Sequence, residues 1–530
     1  MTEGRELELK YAVADVAAVR RLVDQDTLAD LDCGPWRETD VVDQYLDTHE
    51  GALAKAGYGA RLRRIGRKTL VTIKSTRAHG RPSSRRGLHD RLELEARATR
   101  TLSPARWPES PARALIEASA GGQALHTLFV LEQRREERDL LRDGVPVAKL
   151  SLDSGVVRRF GRQMGELFAL EVEAVEANAV GRRALESVAD VLDGSPDMRP
   201  EHRSKEELAQ QMLSRAVSER SAARPPRSPG IGVDDSLAEA GRKVLRMHLL
   251  RMLVAETAAR AGSDIEGVHK MRVATRRMRA AWRVFDGAYR PRLQKRYVAE
   301  LRSVAGALGE VRDIDVQIER LAAHRAGLGA DPAAALEALI EEWRGRRVTA
   351  RTELLDLLGS AEYDQFITDY RSFVETKGAG AVEDAERVVD VAASRAWRAY
   401  ERLRQHDQVV TFADVPALHA LRIDAKRLRY TLEFLVEILP KTTERLIAQI
   451  VALQDHIGLL NDAKIAADET RAWLIESAAT LTAAQRQAAA GYLRASEADV
   501  NRLRRGFRPL WRRVTGRPFR SRLASALSTI

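Results

Sequence analysis

The sequence predicts an α+β chain of two domains: an N-terminal antiparallel β-barrel tunnel with flanking helices, then an all-α domain of two duplicated helical bundles. Three observations carry this. The hydrophobic period is two between Gly4 and Ala98 and again in "FVLEQRREERDLL", "AKLSLD" and "FALEVEAVE". It becomes helical after "SERSAARPPRSPGIGVDDS", Ser218 to Ser236, whose Pro, Ser, Gly and Arg mark a linker. One segment of the helical half returns 150 residues later: "HKMRVATRRMR" from His269 as "HALRIDAKRLR" from His419, 419 − 269 = 150.

The first strand is "RELELKY", with Glu6, Glu8 and Lys10 on one face and Leu7, Leu9 and Tyr11 on the other. A short helix is expected over Val13 to Val23, and alternation resumes in "ARLRR", "TLVTIKS" and "DRLELEA". A charged stripe opposite an apolar one suits any sheet with one wet face. Taken together, however, the stripes hold three Glu-x-Glu pairs (Glu6/Glu8, Glu93/Glu95, Glu171/Glu173), the Arg61/Arg63 pair, Lys74 and Arg91. A closed barrel would turn them into one lumen, where cations neutralise a phosphate chain and carboxylates hold a hard divalent ion.

In the helical half, His269, Arg272, Arg276 and Arg279 correspond to His419, Arg422, Lys426 and Arg429, with Arg277 and Arg427 beside them. Spacing of i, i+3, i+7, i+10 places each set on one helical stripe, while Met271, Met278, Trp282 and Phe285, or Leu421, Leu428, Leu432 and Leu435, form the core stripe. "LGEVRDIDV" from Leu308 echoes "IGLLNDAKI" from Ile457, aligning Asp313 with Asp462. Duplication favours a polyanion-binding face, although Arg stripes also pair with neighbouring carboxylates and histidines also brace helices.

Composition agrees. The 530 residues suffice for two or three cores, aromatics are only 5%, and Lys plus Arg exceed Asp plus Glu by 87 − 76 = 11, so polyanions are the expected partners. Cys33 is the only cysteine, which excludes an intrachain disulfide and a cysteine-based zinc cluster. The start lacks the pattern of a signal peptide and no apolar run is long enough to span a membrane, so a cytoplasmic protein is expected. No P-loop pattern is present.

These residues resemble two known families. Residues 4 to about 210 resemble a CYTH domain, the triphosphate tunnel family, through the Glu-x-Glu-x-Lys of Glu6, Glu8 and Lys10 and the later "YLDT", "ARLRR", "TIK", "RLELE", "LD", "LEVE" and "SK" elements. Residues 237 to 520 resemble a CHAD domain through the two His-centred repeats. The implied domains are 1–215, a linker 216–236, and 237–525 with repeats of about 237–375 and 380–525.

The resemblance implies that Lys10, Arg61, Arg63, Lys74, Arg91 and Lys205 grip a triphosphate, joined by Arg134 and Arg138. Glu6, Glu8, Asp153, Glu171 and Glu173 would hold Mg²⁺ or Mn²⁺, with Glu6, Glu8 and Lys10 at the catalytic centre. His269, Arg272, Arg276, Arg277, Arg279, His419, Arg422, Lys426, Arg427 and Arg429 would bind polyphosphate. The expected function is metal-dependent hydrolysis of inorganic triphosphate by a protein that also binds long-chain polyphosphate and can sit on polyphosphate granules, with no specific nucleic acid and no membrane among its partners. Three alternatives stand beside it: a non-catalytic polyphosphate adaptor, an enzyme for thiamine or nucleoside triphosphates, and nucleic-acid binding by the basic tail "NRLRRGFRPLWRRVTGRPFR".

Overall fold

The computed structural model describes the backbone of residues 5–76, 88–221, 224–262, 264–383, 386–408 and 415–530. The chain divides into two compact units, Met1–Glu219 and Arg220–Ile530.

The first unit contains eleven strands among the described residues: β1 (Arg5–Val13), β2 (Thr27–Leu28), β3 (Leu31–Cys33), β4 (Arg37–Asp47), β5 (Tyr58–Ile65), β6 (Lys68–Ser75), β7 (Leu88–Arg97), β8 (His126–Arg142), β9 (Val145–Arg159), β10 (Arg162–Ala174) and β11 (Met198–Pro200). Eight of them close antiparallel in the order β8-β4-β5-β6-β7-β1-β10-β9, with β9 returning to β8, so the ring leaves no free edge. Five helices accompany it: α1 (Val16–Val23), α2 (Ala52–Lys55), α3 (Pro111–Ala120), α4 (Ala179–Leu192) and α5 (Lys205–Ser221). α1 starts three residues later than the sequence suggests because β1 runs to Val13 and Asp15 caps the helix, accepting from the Ala17 amide at 2.8 Å.

The barrel is apolar outside where helices cover it and charged inside. Leu7, Leu9 and Tyr11 of β1 pack outward under α1 and α4, and Leu62, Val71 and Ile73 pack under α2 and α3. The opposite faces of the same strands therefore point inward, which places Glu6, Glu8 and Lys10 in the lumen. α5 covers one stretch of the inner wall, its Ala209 and Leu213 packing on Tyr45, Phe129, Leu131, Val157 and Leu167. Its approach is close enough that a Cβ at Gly59 would displace the Glu206 carboxylate from where it lies. α5 also continues to Ser221, four residues into the stretch that composition marks as a linker.

The second unit is helical: α6 (Leu237–Ala261), α7 (Ile265–Val284), α8 (Pro291–Ala326), α9 (Ala330–Ala335), α10 (Glu337–Leu358), α11 (Ala361–Glu375), α12 (Val388–Arg404), α13 (Val415–Phe434), α14 (Thr443–Glu476), α15 (Ala483–Thr515) and α16 (Arg517–Leu527). The repeat is structural. α7 and α13 begin 415 − 265 = 150 residues apart and end 434 − 284 = 150 apart. Ahead of α6 and α12 the backbone bonds are reciprocal, Leu237 N to Glu386 O and Val388 N to Asp235 O, both 2.8 Å. Exchanged bonds at a constant offset mark a pseudo-twofold axis. The halves are not separate bundles, because Trp282, Met278 and Leu308 share one continuous core with Leu428, Leu432 and Leu453. Among the described residues, no helix is long and apolar enough to cross a membrane.

Candidate functional site

Strand register builds the tunnel lining. β1 pairs with β10 so that Lys10 faces Glu171 and Glu8 faces Glu173, and with β7 so that Glu6 faces Arg91. β4, β5, β6 and β7 line up Asp43 with Arg63, Arg61 with Thr72, and Lys74 with Glu93. Residues directly opposite in an antiparallel ladder share a face, so these side chains all enter the lumen.

Three groups follow. In the first, the fully buried Asp43 accepts from Arg63 Nε and Nη2, both at 2.8 Å, from Gln133 Nε2 at 3.0 Å and from Arg61 Nη1 at 3.4 Å. Burial opposes its charge, but Arg61 and Arg63 win and hold the carboxyl far below its usual range.

In the second, Arg135 grips Asp153 with Nε and Nη2, both at 2.8 Å, and reaches Glu171 at 3.0 Å. Lys10 Nζ meets Glu171 Oε1 at 2.8 Å; Lys205 contacts Asp153 and lies 3.0 Å from Glu171. Desolvation opposes ionisation of Glu171, but Lys10, Lys205 and Arg135 hold it well below the ordinary value. Burial dominates at Lys205 and lowers its pKa despite both carboxylates.

The third group is short of positive charge. Lys74 lies 2.7 and 2.6 Å from the two Glu6 oxygens and 3.1 Å from Glu93, while Glu8 and Glu173 complete a set of four carboxylates. Burial, then the neighbouring Glu6, Glu93 and Glu8, push Glu173 up to about 7 although Lys74 opposes them. Glu6 is raised as well, chiefly by burial. Glu173 is open to the lumen yet walled in by the barrel.

Oxygen donors with uncompensated negative charge suit a hard divalent cation. The residues at Glu6, Glu8 and Glu173, with Glu93 beside them, therefore fit such a cation. Asp153 and Glu171, also expected as ligands, are engaged by three cations instead.

Two expected phosphate contacts are misplaced. β8 pairs with β9 so that Arg135 faces Asp153, which points odd-numbered residues inward and even-numbered ones outward. Arg134 lies outside the barrel on Glu38. Arg138 is buried against Trp36 and donates to the carbonyls of Val23 (2.7 Å), Gly34 (2.9 Å) and Gln25 (3.1 Å), fixing the chain around β2 and β3. Arg135, Asp43 and Gln133 are lining residues that sequence reasoning left out of the site; Glu93 was expected in the lumen but not among the metal ligands. Asp43 had a signal: it lies two residues before Tyr45 of "YLDT", on the same strand face.

In the helical unit the two basic stripes converge. α7 packs against α13, and Lys426 feels Arg422 and Arg429 of its own helix together with Arg276 and Arg272 of the other half. Burial, followed by these guanidinium groups, brings the Lys426 pKa down to about 7. Arg422 is lowered by burial and by the same two arginines, with Asp462 opposing. The Arg276 and Arg422 Nε atoms are buried without an acceptor.

Of Arg272, Arg276, Arg422 and Lys426, Arg272 alone holds a direct ion pair among the described residues, to Asp313 at 2.6 Å. His269 is half-buried on the same face, and burial, then Arg312, lower its pKa. Arg279 lies beside Arg283 and Arg302. Arg277 and Arg429 both pair with Glu433, at 3.0 and 2.6 Å, and Arg427 with Asp424 at 3.3 Å, so these three brace the helices. The His419 side chain lies outside the described residues.

The chain is thus an eight-stranded tunnel protein with an inverted, charged interior, followed by a duplicated helical unit with one basic cleft. Residues 4–190 match the model of the CYTH domain and residues 243–471 that of the CHAD domain, so the chain carries a CYTH triphosphate-tunnel domain followed by a CHAD domain. CYTH proteins are triphosphate-acting hydrolases and cyclases that generally use divalent metal ions.

The chain is similar to uncharacterized proteins of Mycobacterium tuberculosis, 28% identical over 186 residues, a stretch covering 34% of this chain and 36% of the relatives' length. Among solved structures it is similar to the CHAD domain from the plant Ricinus communis (24% identity, TM-score 0.44, 54% of this chain and 97% of that one). It is also similar to a Hippeastrum protein described as an adenylyl cyclase with a dominant triphosphatase activity (16% identity, TM-score 0.29, 39% and 95%).

Proposed function

We propose that the barrel hydrolyses inorganic triphosphate with a divalent cation and that the α7/α13 cleft binds inorganic polyphosphate. The observation that carries the reading is the sorting of charge in the lumen, with Lys10, Arg61, Arg63, Arg135 and Lys205 on fixed carboxylate struts and the under-neutralised Glu6, Glu8 and Glu173 beside them.

A triphosphate laid between these groups finds cations already oriented by Asp43, Asp153 and Glu171, so little reorganisation is needed as charge develops on the leaving oxygen. Glu6, Glu8 and Glu173 would hold the Mg²⁺ or Mn²⁺, which when bound neutralises and orients phosphate oxygens. The crowding of carboxylates that raises Glu173 in the empty lumen is relieved when a cation binds, and an acidic side chain of this set can accept a proton from the water that attacks the terminal phosphorus. The P–O–P bond then breaks, releasing orthophosphate and pyrophosphate. Tyr45 and Phe129, aromatic rings of the inner wall, stack on each other at 4.6 Å under α5 and so are not free to hold a nucleobase, which supports an inorganic substrate.

The deciding experiment is phosphate release from tripolyphosphate, ATP and thiamine triphosphate with Mg²⁺ or Mn²⁺, comparing the full chain with a Glu6→Ala, Glu8→Ala variant. Fast release from tripolyphosphate that the variant lacks supports the reading. Faster release from another triphosphate keeps the site and changes the substrate. No release from a folded protein leaves a polyphosphate-binding adaptor.

A further inference from the structure

The cleft and the tunnel leave the most basic part of the chain unused. After Asp499 the sequence contains nine arginines and no Asp or Glu, so this stretch supplies charge comparable to the formal surplus of 11. On α15, Leu503, Phe507, Trp511 and Val514 are buried in the bundle core, and the flank beside them carries exposed Arg504, Arg508 and Arg512, with Arg505 further round the helix. Spacing of i, i+4, i+8 sets these guanidinium groups about 6 Å apart along the helix. Among the described residues, Arg504, Arg508 and Arg512 have no carboxylate partner. α16 extends the charge with exposed Arg517, Arg520 and Arg522.

This face adjoins the cleft. Asp499 bridges Arg320 of α8, at 3.4 Å, and Arg502 of α15, at 2.7 Å. Arg320 also acts electrostatically on Asp462, the carboxylate beside Arg422. Round α15 the exposed Arg505 lies between Arg502 and Arg508, so cations step from Arg422 through Arg320, Arg502 and Arg505 round the helix to the arginine row.

We infer that the exposed arginine face of α15 is a second polyanion site, a track on which a long polyphosphate chain held in the α7/α13 cleft continues. The inference rests on the proposed polyphosphate binding and extends it to residues outside both repeat motifs. Guanidinium pairs with phosphate oxygens bidentately, and the unpaired row matches an extended chain of repeating negative charge. A lipid surface fits less well, because no large apolar side chain among the described residues after Asp499 is exposed for insertion.

The test uses the full chain in three forms: unmodified, Arg504→Glu/Arg508→Glu/Arg512→Glu, and the cleft variant Arg272→Glu/Arg422→Glu. Each is titrated with short oligophosphate, long-chain polyphosphate and single-stranded RNA over a salt series. The track predicts that the α15 variant binds short oligophosphate normally but loses about tenfold in long-chain affinity, its log K against log salt slope falling by about 2 for three lost contacts. Equal long-chain affinity in the α15 variant and the unmodified chain overturns the track while a defective cleft variant still upholds polyphosphate binding. Failure of the unmodified chain to bind polyphosphate overturns both. Loss of RNA binding alone in the α15 variant overturns the track and assigns the face to nucleic acid.

Discussion

Arg135 and Asp153 face each other across the β8–β9 ladder and are joined by two parallel hydrogen bonds of 2.8 Å, while the adjacent Arg134 points out of the barrel. One residue of register decides which guanidinium meets the substrate. Arg135→Ala is expected to lower tripolyphosphate turnover about 100-fold, in the range seen when one preorganised donor is removed from a charged site. Arg134→Ala is expected to stay within about twofold, since an exposed ion pair contributes about 0 to 1 kcal/mol. Steady-state phosphate release from both variants checks the register, and comparable losses would refute it.

Asp43 predicts a stability effect. It is fully buried and is the direct carboxylate partner of Arg63 and, at 3.4 Å, of Arg61. Asp43→Asn leaves two guanidinium groups in the wall without that charge and should cost about 3 to 5 kcal/mol. Denaturant unfolding of the full chain, with and without the substitution, measures it. Loss of activity at unchanged stability would mean that Asp43 positions the arginines without stabilising the barrel.

Glu173 predicts a pH dependence whose sign follows from its raised pKa. The folded chain holds it at about 7 against an ordinary 4.5, so its contribution to stability is fully present below about 4.5 and is lost as pH rises through 7. Without metal, Glu173→Gln should match the unmodified chain in melting temperature near pH 5 and exceed it at pH 8. Added Mn²⁺ should raise the melting temperature of the unmodified chain most at pH 8 and do less for the variant. Scanning fluorimetry in chelator and in Mn²⁺ reads both; a constant difference across pH removes Glu173 from the crowded acidic set.

Much of this was legible in the sequence because alternation is a local property. "RELELKY" gives the inward Glu6, Glu8 and Lys10 directly, since a strand with Leu7, Leu9 and Tyr11 outside has no other way to face. The duplication was legible too, and α7 and α13 keep its 150-residue offset at both ends. What local pattern lacks is pairing. In "EQRREER" both faces carry charge, so only the ladder with β9 separates Arg135 from Arg134. Convergence of the two basic stripes into one cleft depends on how α7 meets α13, which periodicity within either helix does not encode.

The cleft makes the last prediction. Lys426 is surrounded by Arg422, Arg429, Arg276 and Arg272, and burial with these neighbours brings it from 10.5 to about 7. A lysine depressed in the folded state contributes stability that is fully present above its ordinary 10.5 and is lost as pH falls toward the folded value, so the unliganded helical unit should weaken from about pH 10 down to about 7 and level off below. A polyanion reverses the balance, because it favours the charged ammonium. Affinity for polyphosphate should therefore rise as pH falls from 8 to 6, with proton uptake on binding at neutral pH. His269, held below 6.5 by burial and by Arg312, Arg276 and Arg272, adds its charge at the acid end. Lys426→Arg, charged throughout, should bind well at pH 8 and flatten the profile; Lys426→Met should resemble the unmodified chain at pH 8 and fall behind it at pH 6. Isothermal titration calorimetry in buffers of different ionisation enthalpy counts the protons directly. An affinity that stays level in the unmodified chain would mean that Lys426 is already charged in the cleft, neutralised by Asp313 and Asp462 more fully than its arginine neighbours imply.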